Sequence, residues 1–321
     1  MTVSADLAVT FTSMASDIEL RVVDPAPGAE EAVERAVAAI GDVATHLTRF
    51  DSESALSLAN RAPGIWHDVP AILADAVSLS RSAHQITDGL FDPRVGSTLA
   101  AWGYDRSFDR IATETTDTAA WDIAIHRTRR GDATPRTSWA PQVSGNSVHL
   151  GGTPVDFGGI GKGLAVRNAA AALSGAGRSV LVDAGGDEWL AGPGPDGDGW
   201  KVGVEDPLGL AEHVLVLAVT DLGVATSSIA RQRWSVRGVP VHHLVDPRTN
   251  TPGGAGLAAV TVLHPDPAWA EVWSKTLYLC GRSDIASVAA HRDLAAAWVT
   301  VDGEVGLSDA IRPFVLWQVT R

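Results

Sequence analysis

Apolar and polar positions alternate over "VTFTSMASDIELRVVD", residues 9–24, as they do in paired strands with one buried face. The period then lengthens. "EEAVERAVAAIGDVATHLTRF" (30–50) and "AILADAVSLSRSAHQIT" (71–87) space their apolar residues three and four apart, which predicts helices. From 105 to 143 the chain turns polar with weak periodicity and reads as an excursion from the core, with a short helix near "TAAWDIAI". Strand, glycine-rich turn and helix follow in "SVHLGGTPVDFGGIGKGLAVRNAAAALSGAG", then a strand with a second glycine turn in "SVLVDAGGDEWLAG". Strand-like stretches continue through "WKVGVED", "HVLVLAVTDLGVAT", "RQRWSVRGVPVHHLVDP" and "LAAVTVLHP". "AWAEVWSKTLYLC" and "SDIASVAAHR" predict two helices, and "AAAWVTVDGEV" and "FVLWQV" predict closing strands. Strands joined by short turns predict antiparallel pairing, so the expected class is α+β, in a single domain over residues 1–321.

Composition narrows the function classes. The chain has 321 residues, 45 % hydrophobic and 20 % charged, enough for a buried core. A net charge of −13 speaks against nonspecific binding to nucleic acid or anionic membranes. No apolar run approaches a membrane span, and the start "MTVSADLAVTFTSMAS" lacks a basic, then apolar, leader pattern, so a cytoplasmic protein is expected. The single cysteine, Cys280 in "LYLCG", excludes an intramolecular disulfide and reads as a buried thiol.

The chemistry concentrates in glycine turns. "VDFGGIGKGLAV" (155–166) is not a P-loop: Asp156 stands where the first glycine belongs, and Gly163 follows Lys162. Nor is it a dinucleotide fingerprint, because Leu164 occupies the last glycine position. Its glycines still let backbone N–H groups approach an anion at a helix start, and Lys162 adds a point charge; a tight turn with a solvated lysine fits equally. "DAGGDEW" repeats the strand-to-glycine turn at Gly185 and Gly186. Thr226 and Ser227 follow an apolar strand, where hydroxyls can hold phosphate or satisfy local backbone. In "VHHLVDPRTNTPGG", His243 is a candidate base, but strand alternation puts it and Asp246 on opposite faces, so a bond between them requires a bend.

Taken in order, these segments resemble the ApbE family of flavin transferases, the FAD:protein FMN transferases. The family's early Met-Gly-Thr is echoed by Met14-Ala15-Ser16. Its aromatic-then-Ser-x-x-Ser-x-x-Asn matches Phe50, Ser54, Ser57 and Asn60. Its Gly-x-Phe-Asp-Pro and Trp-Gly match Gly89 to Pro93 and Trp102-Gly103. Its Asp-x-Gly-Gly-Ile-x-Lys-Gly is Asp156 to Gly163, and its Ala-Gly-Gly-Asp is Ala184 to Asp187. Its Ala-Thr-Ser is Ala225 to Ser227, and its His-x-x-Asp-Pro-x-Thr is His243 to Thr249. The resemblance implies an ApbE-like (T-fold-like) architecture, FAD and a magnesium ion, and transfer of FMN to a threonine of an acceptor protein with release of AMP. It implies a cofactor cleft at Met14, Phe50, Gly159, Ile160, Gly161, Lys162, Gly185, Gly186 and Asp187, with Thr226 and Ser227 near the phosphates. It implies His243 as base, and Asp246 is its candidate orienter.

The pattern breaks at the expected metal site. The family's Asp-x-x-x-Thr falls on Glu271 and Lys275, with the Gly161 carbonyl completing the implied ligand set. Glutamate can replace aspartate. A charged lysine cannot ligate, and at ~4 Å and a dielectric of ~20 its repulsion is about 4 kcal/mol per unit charge, doubled against a divalent ion. Thr276 offers a hydroxyl one residue on, turned about 100° around the helix. Arg167 stands where the family carries aspartate, and Phe50 replaces a tyrosine. A working transferase in which Lys275 stands in for the metal is therefore one expectation. The alternative is an FAD-binding protein, impaired or metal-independent, acting as carrier, sensor or subunit.

Overall fold

A computed structural model describes residues 6–105, 138–230, 232–236 and 238–320. Most of the polar excursion expected over 105–143, including its short helix, lies outside the described residues. The chain clusters into two compact units. One comprises Met1–Ala44, Ile160–Ser228 and Gly256–Arg321, the other Thr45–Gly159 and Ile229–Ala255. Neither is continuous in sequence, which is why no shift of composition marks a boundary between them.

The first unit is built on an eight-stranded sheet. Its order is Leu7–Ser13, Ser16–Pro25, Gly177–Ala184, Glu188–Ala191, Leu222–Ser228, Leu257–His264, Ala295–Thr300, Val305–Leu307. Each neighbouring pair is antiparallel, although only the first two strands, the Gly177–Ala184 and Glu188–Ala191 pair, and the last two are joined by short turns. The Leu257–His264 strand is buried on both faces, so it reads as an apolar run without alternation. On one face lie the Gly161–Ala172 and Pro267–His291 helices. On the other, a three-stranded sheet of Trp200–Glu205, His213–Val219 and Val315–Gln318 shares a core with Leu190, Val224, Leu263 and Val299.

The two late helices expected from the sequence form Pro267–His291, interrupted at Gly281, whose φ of 75° and ψ of 171° no helix accommodates. Cys280 precedes that break and is partly exposed rather than buried, because the chain departs from its helical path there. Met14 and Ala15 turn the first hairpin with φ of 52° and 55°, a left-handed turn that ordinarily favours Asn-Gly.

The second unit holds the helices Ala55–Arg61, Ala71–Ile86 and Gly96–Ala101, and three small antiparallel sheets. The stretch 231–247, expected as strand, breaks into Arg233–Val236, Val239–His242 and Val245–Asp246. Among the described residues, no helix is long and apolar enough to cross a membrane.

Candidate functional site

In the first unit the Gly-Lys loop ends at the head of a helix. Ile160 is the N-cap of Gly161–Ala172, so Lys162 rises from the first turn, where orphan N–H groups and the helix dipole favour negative charge. Lys162 Nζ lies 2.6 Å from Asp187 Oδ2, which brings the two glycine turns together. Burial alone would lower the ammonium's pKa, but Asp187 and Glu271 outweigh it, and Lys162 titrates above the ordinary lysine range. Gly185, at φ 66°, presses on the hairpin tip: a Cβ there would meet Ser16 Oγ at 2.7 Å. The Met14–Ser16 turn therefore abuts the Ala184–Asp187 turn. Asp183 accepts the Gly186 N–H at 2.7 Å and fixes that turn.

The other wall is the long helix. Glu271 is fully buried, and its Oε2 accepts the Gly163 N–H at 2.7 Å, so a carboxylate 108 residues away caps the helix that carries Lys162. Its Oε1 accepts from Lys275 Nζ at 2.9 Å. One turn along, the Ser274 and Ser227 hydroxyls bond at 2.8 Å. Thr226 points through the opposite face of the sheet, its hydroxyl 2.9 Å from that of Thr261. The two hydroxyls expected near the phosphates thus diverge, because adjacent strand residues alternate. Arg167 turns to Asp266, the N-cap of the long helix, at 3.5 Å.

In the second unit, motif residues act largely as framework. Ser54 caps Ala55–Arg61 by accepting the Ser57 N–H, and Asn60 clamps the backbone of Val155 with both atoms of its amide. Arg49 bonds Asp156 at 2.8 Å and lies 4.3 Å over the Phe50 ring, which is 45 % exposed. His243 Nδ1 stands 3.4 Å from the Gln232 carbonyl. The Asp246 carboxylate takes the Arg248 N–H and guanidinium, at 2.7 to 3.1 Å, closing the turn just after His243. Asp92 and Arg94 repeat that Asp-Pro-Arg arrangement, buried.

The family model for the ApbE family matches residues 14–298. The chain belongs to the ApbE family. Among curated relatives, it is 26 % identical over 282 residues to the "FAD:protein FMN transferase" of Haemophilus influenzae, covering 83 % of this chain and 77 % of that one. It is 27 % identical over 265 residues to the protein of the same name from Klebsiella pneumoniae, covering 80 % and 73 %. The fold matches the ApbE protein of Thermotoga maritima with a TM-score of 0.83 at 21 % identity, over 97 % and 99 % of the two chains. It matches the Vibrio cholerae flavin transferase ApbE with a TM-score of 0.78 at 21 % identity, over 97 % and 99 %.

Within this family frame, sequence reasoning missed Ser274, Asp183 and Arg49. Ser274 was findable: it lies one helical turn past Glu271 and so shares its face. Arg49 owes its place to a pairing with Asp156 from a distant segment, and Asp183 bonds Gly186 within its own turn. The magnesium ion implied by the resemblance does not fit these residues. It needs oxygen donors in near-octahedral array, yet the Lys275 ammonium stands 2.9 Å from Glu271 Oε1, where the ion would sit, and Oε2 is bonded to the Gly163 N–H. Thr276 offers nothing in its place, because its hydroxyl bonds the Val272 carbonyl of its own helix at 2.8 Å.

Proposed function

We propose that this protein cleaves FAD at its pyrophosphate, transfers the FMN moiety to a threonine hydroxyl of an acceptor protein, and releases AMP. Two sets of facts support the reading. One is the name shared by the curated relatives that align over about four fifths of the chain. The other, which carries the chemistry, is the Lys162 ammonium at a helix N-terminus, set between two glycine turns. Backbone N–H groups at Gly159 to Lys162 and at Gly185 bind the pyrophosphate, Gly186 shapes its turn by bonding Asp183, and Lys162 and Lys275 neutralise the phosphates. Asp187 holds Lys162 in place, Ile160 seats the loop in the core, and Met14 stands at the hairpin tip beside the second glycine turn. Ser227, locked to Ser274, fixes the strand end beside the phosphates, and Thr226 stiffens the same strand from its other face.

In the transfer step the threonine oxygen attacks the FMN-side phosphorus, and the bond to the AMP phosphate breaks. The hydroxyl proton passes to His243, and AMP leaves with the electron pair of the broken bond. Asp246 is a positioning residue: with Arg248 it fixes the turn that presents His243. The test is intact-mass spectrometry of a threonine-bearing acceptor domain, one that a related transferase modifies, after incubation with this protein and FAD. An FMN-sized gain is expected, lost in His243→Ala while FAD binding, read by flavin fluorescence, persists. No gain on that acceptor, or an undiminished gain with His243→Ala, would overturn the assignment.

A further inference from the structure

The two lysines of the first unit sit in different surroundings. Lys162 is tied to Asp187 and held in the field of Glu271 and Asp183 as well. Lys275 has Glu271 Oε1 as its hydrogen-bond partner among the described residues, and its side chain keeps 17 % of its surface exposed. An ammonium carries three donors, so two of those on Lys275 are left for a ligand from the open side. Glu271, by contrast, already has a strong donor on each of its oxygens. It is fully buried, its Oε2 caps the helix that carries Lys162, and its Oε1 meets the ammonium. A divalent ion seated on this carboxylate would have to displace Lys275, or share an oxygen with a positive charge 2.9 Å away. The i,i+4 spacing of the pair on one helix makes displacement harder, because the two side chains are neighbours whatever else binds.

We propose that Lys275 is the built-in cation of this site: its ammonium neutralises Glu271 and reaches the FAD pyrophosphate, so that this position handles the phosphates without a divalent metal. The inference rests on the proposed function for the identity of the anion. The substitution also has a chemical consequence. A magnesium ion is exchangeable, whereas a lysine is fixed in the chain, so the site answers to no change in free divalent cation.

Three readouts separate this inference from the transferase reading. Isothermal calorimetry with magnesium alone should give no binding to the wild-type protein. It should give binding to Lys275→Thr, in which Glu271 is freed and a hydroxyl is set one turn from it. FAD affinity, read by flavin fluorescence, should be the same in magnesium and in chelator for the wild type. It should fall about tenfold or more in Lys275→Met, as expected for the loss of a charge-assisted hydrogen bond. Lys275→Arg keeps the charge and should keep the indifference to chelator, and cooperative thermal unfolding of Lys275→Met and Lys275→Thr separates a lost contact from a folding defect. Flavinylation followed by mass spectrometry should likewise survive chelation. Magnesium binding to the wild type at this position, chelator-sensitive FAD affinity, or wild-type affinity in Lys275→Met would each overturn the inference. Chelator-indifferent FAD binding without transfer would leave it standing and refute the transferase reading instead. Absence of FAD binding to the wild type would overturn both the inference and the reading it rests on.

Discussion

Gly161 and Gly163 are two residues apart in one helical turn, and replacing each by alanine should move stability in opposite directions. A Cβ on Gly163 would stand 2.6 Å from Ala268 Cα and 2.7 Å from the Pro267 carbonyl oxygen, both backbone atoms that cannot rotate away. Restoring an ordinary contact of 3.4 Å means parting the two helices by roughly 0.8 Å (3.4 less 2.6), a strain that costs about 1–3 kcal/mol in packed interiors. The same movement stretches the Gly163 N–H bond to the buried Glu271 carboxylate, 2.7 Å at present. Hydrogen bonds to charged groups contribute about 1.5–3 kcal/mol, so with that bond lost the combined cost is about 2.5–6 kcal/mol. At Gly161 an added Cβ would meet nothing within 4 Å. Alanine there should be neutral or stabilising by up to ~1 kcal/mol through helix propensity. Urea denaturation of the two variants gives the comparison, and amide exchange over 161–172 shows whether the loss is centred on this helix. If Gly163→Ala unfolds at the same urea concentration as Gly161→Ala, the helix contact and the Glu271 cap are not what stabilise this part of the site.

Three further changes test other features. Ala15 sits at φ 55° in the hairpin tip, and Ala15→Gly should raise stability by about 1 kcal/mol, read from thermal unfolding, because glycine relieves the left-handed strain. Burial, with Asp183, Asp187 and Glu19 nearby, lifts the Glu188 carboxyl from 4.5 to about 8. The folded state therefore holds its proton longer than the unfolded one. The associated stability is complete below pH 4.5 and is lost as pH rises to about 8, so Glu188→Gln should flatten denaturant stability across that window. His242 has the opposite sign: burial lowers it from 6.5 to about 4, so stability should fall as pH drops from 6.5 toward 4, and His242→Gln should remove that acid limb.

The sequence by itself fixed a good deal. Alternation and helical spacing located the strands and helices of the first unit, because each element buries one face and periodicity records which residues face inward. The order of the short motifs pointed to the family, since several matches in one fixed order are far more specific than any one of them. The sequence also showed that a lysine occupies the position of an expected metal ligand. It left open whether that lysine points to solvent, meets Glu271 or yields to Thr276. That choice depends on helix rotation and on the Gly161–Ala172 helix packing against 267 and 268, contacts between segments about a hundred residues apart. The same holds for Asp246, which a linear reading could give to His243 and which the turn gives to Arg248. The chain supplies each charged group, but a carboxylate bonds the nearest strong donor in space, and only the packing of distant segments decides which donor that is.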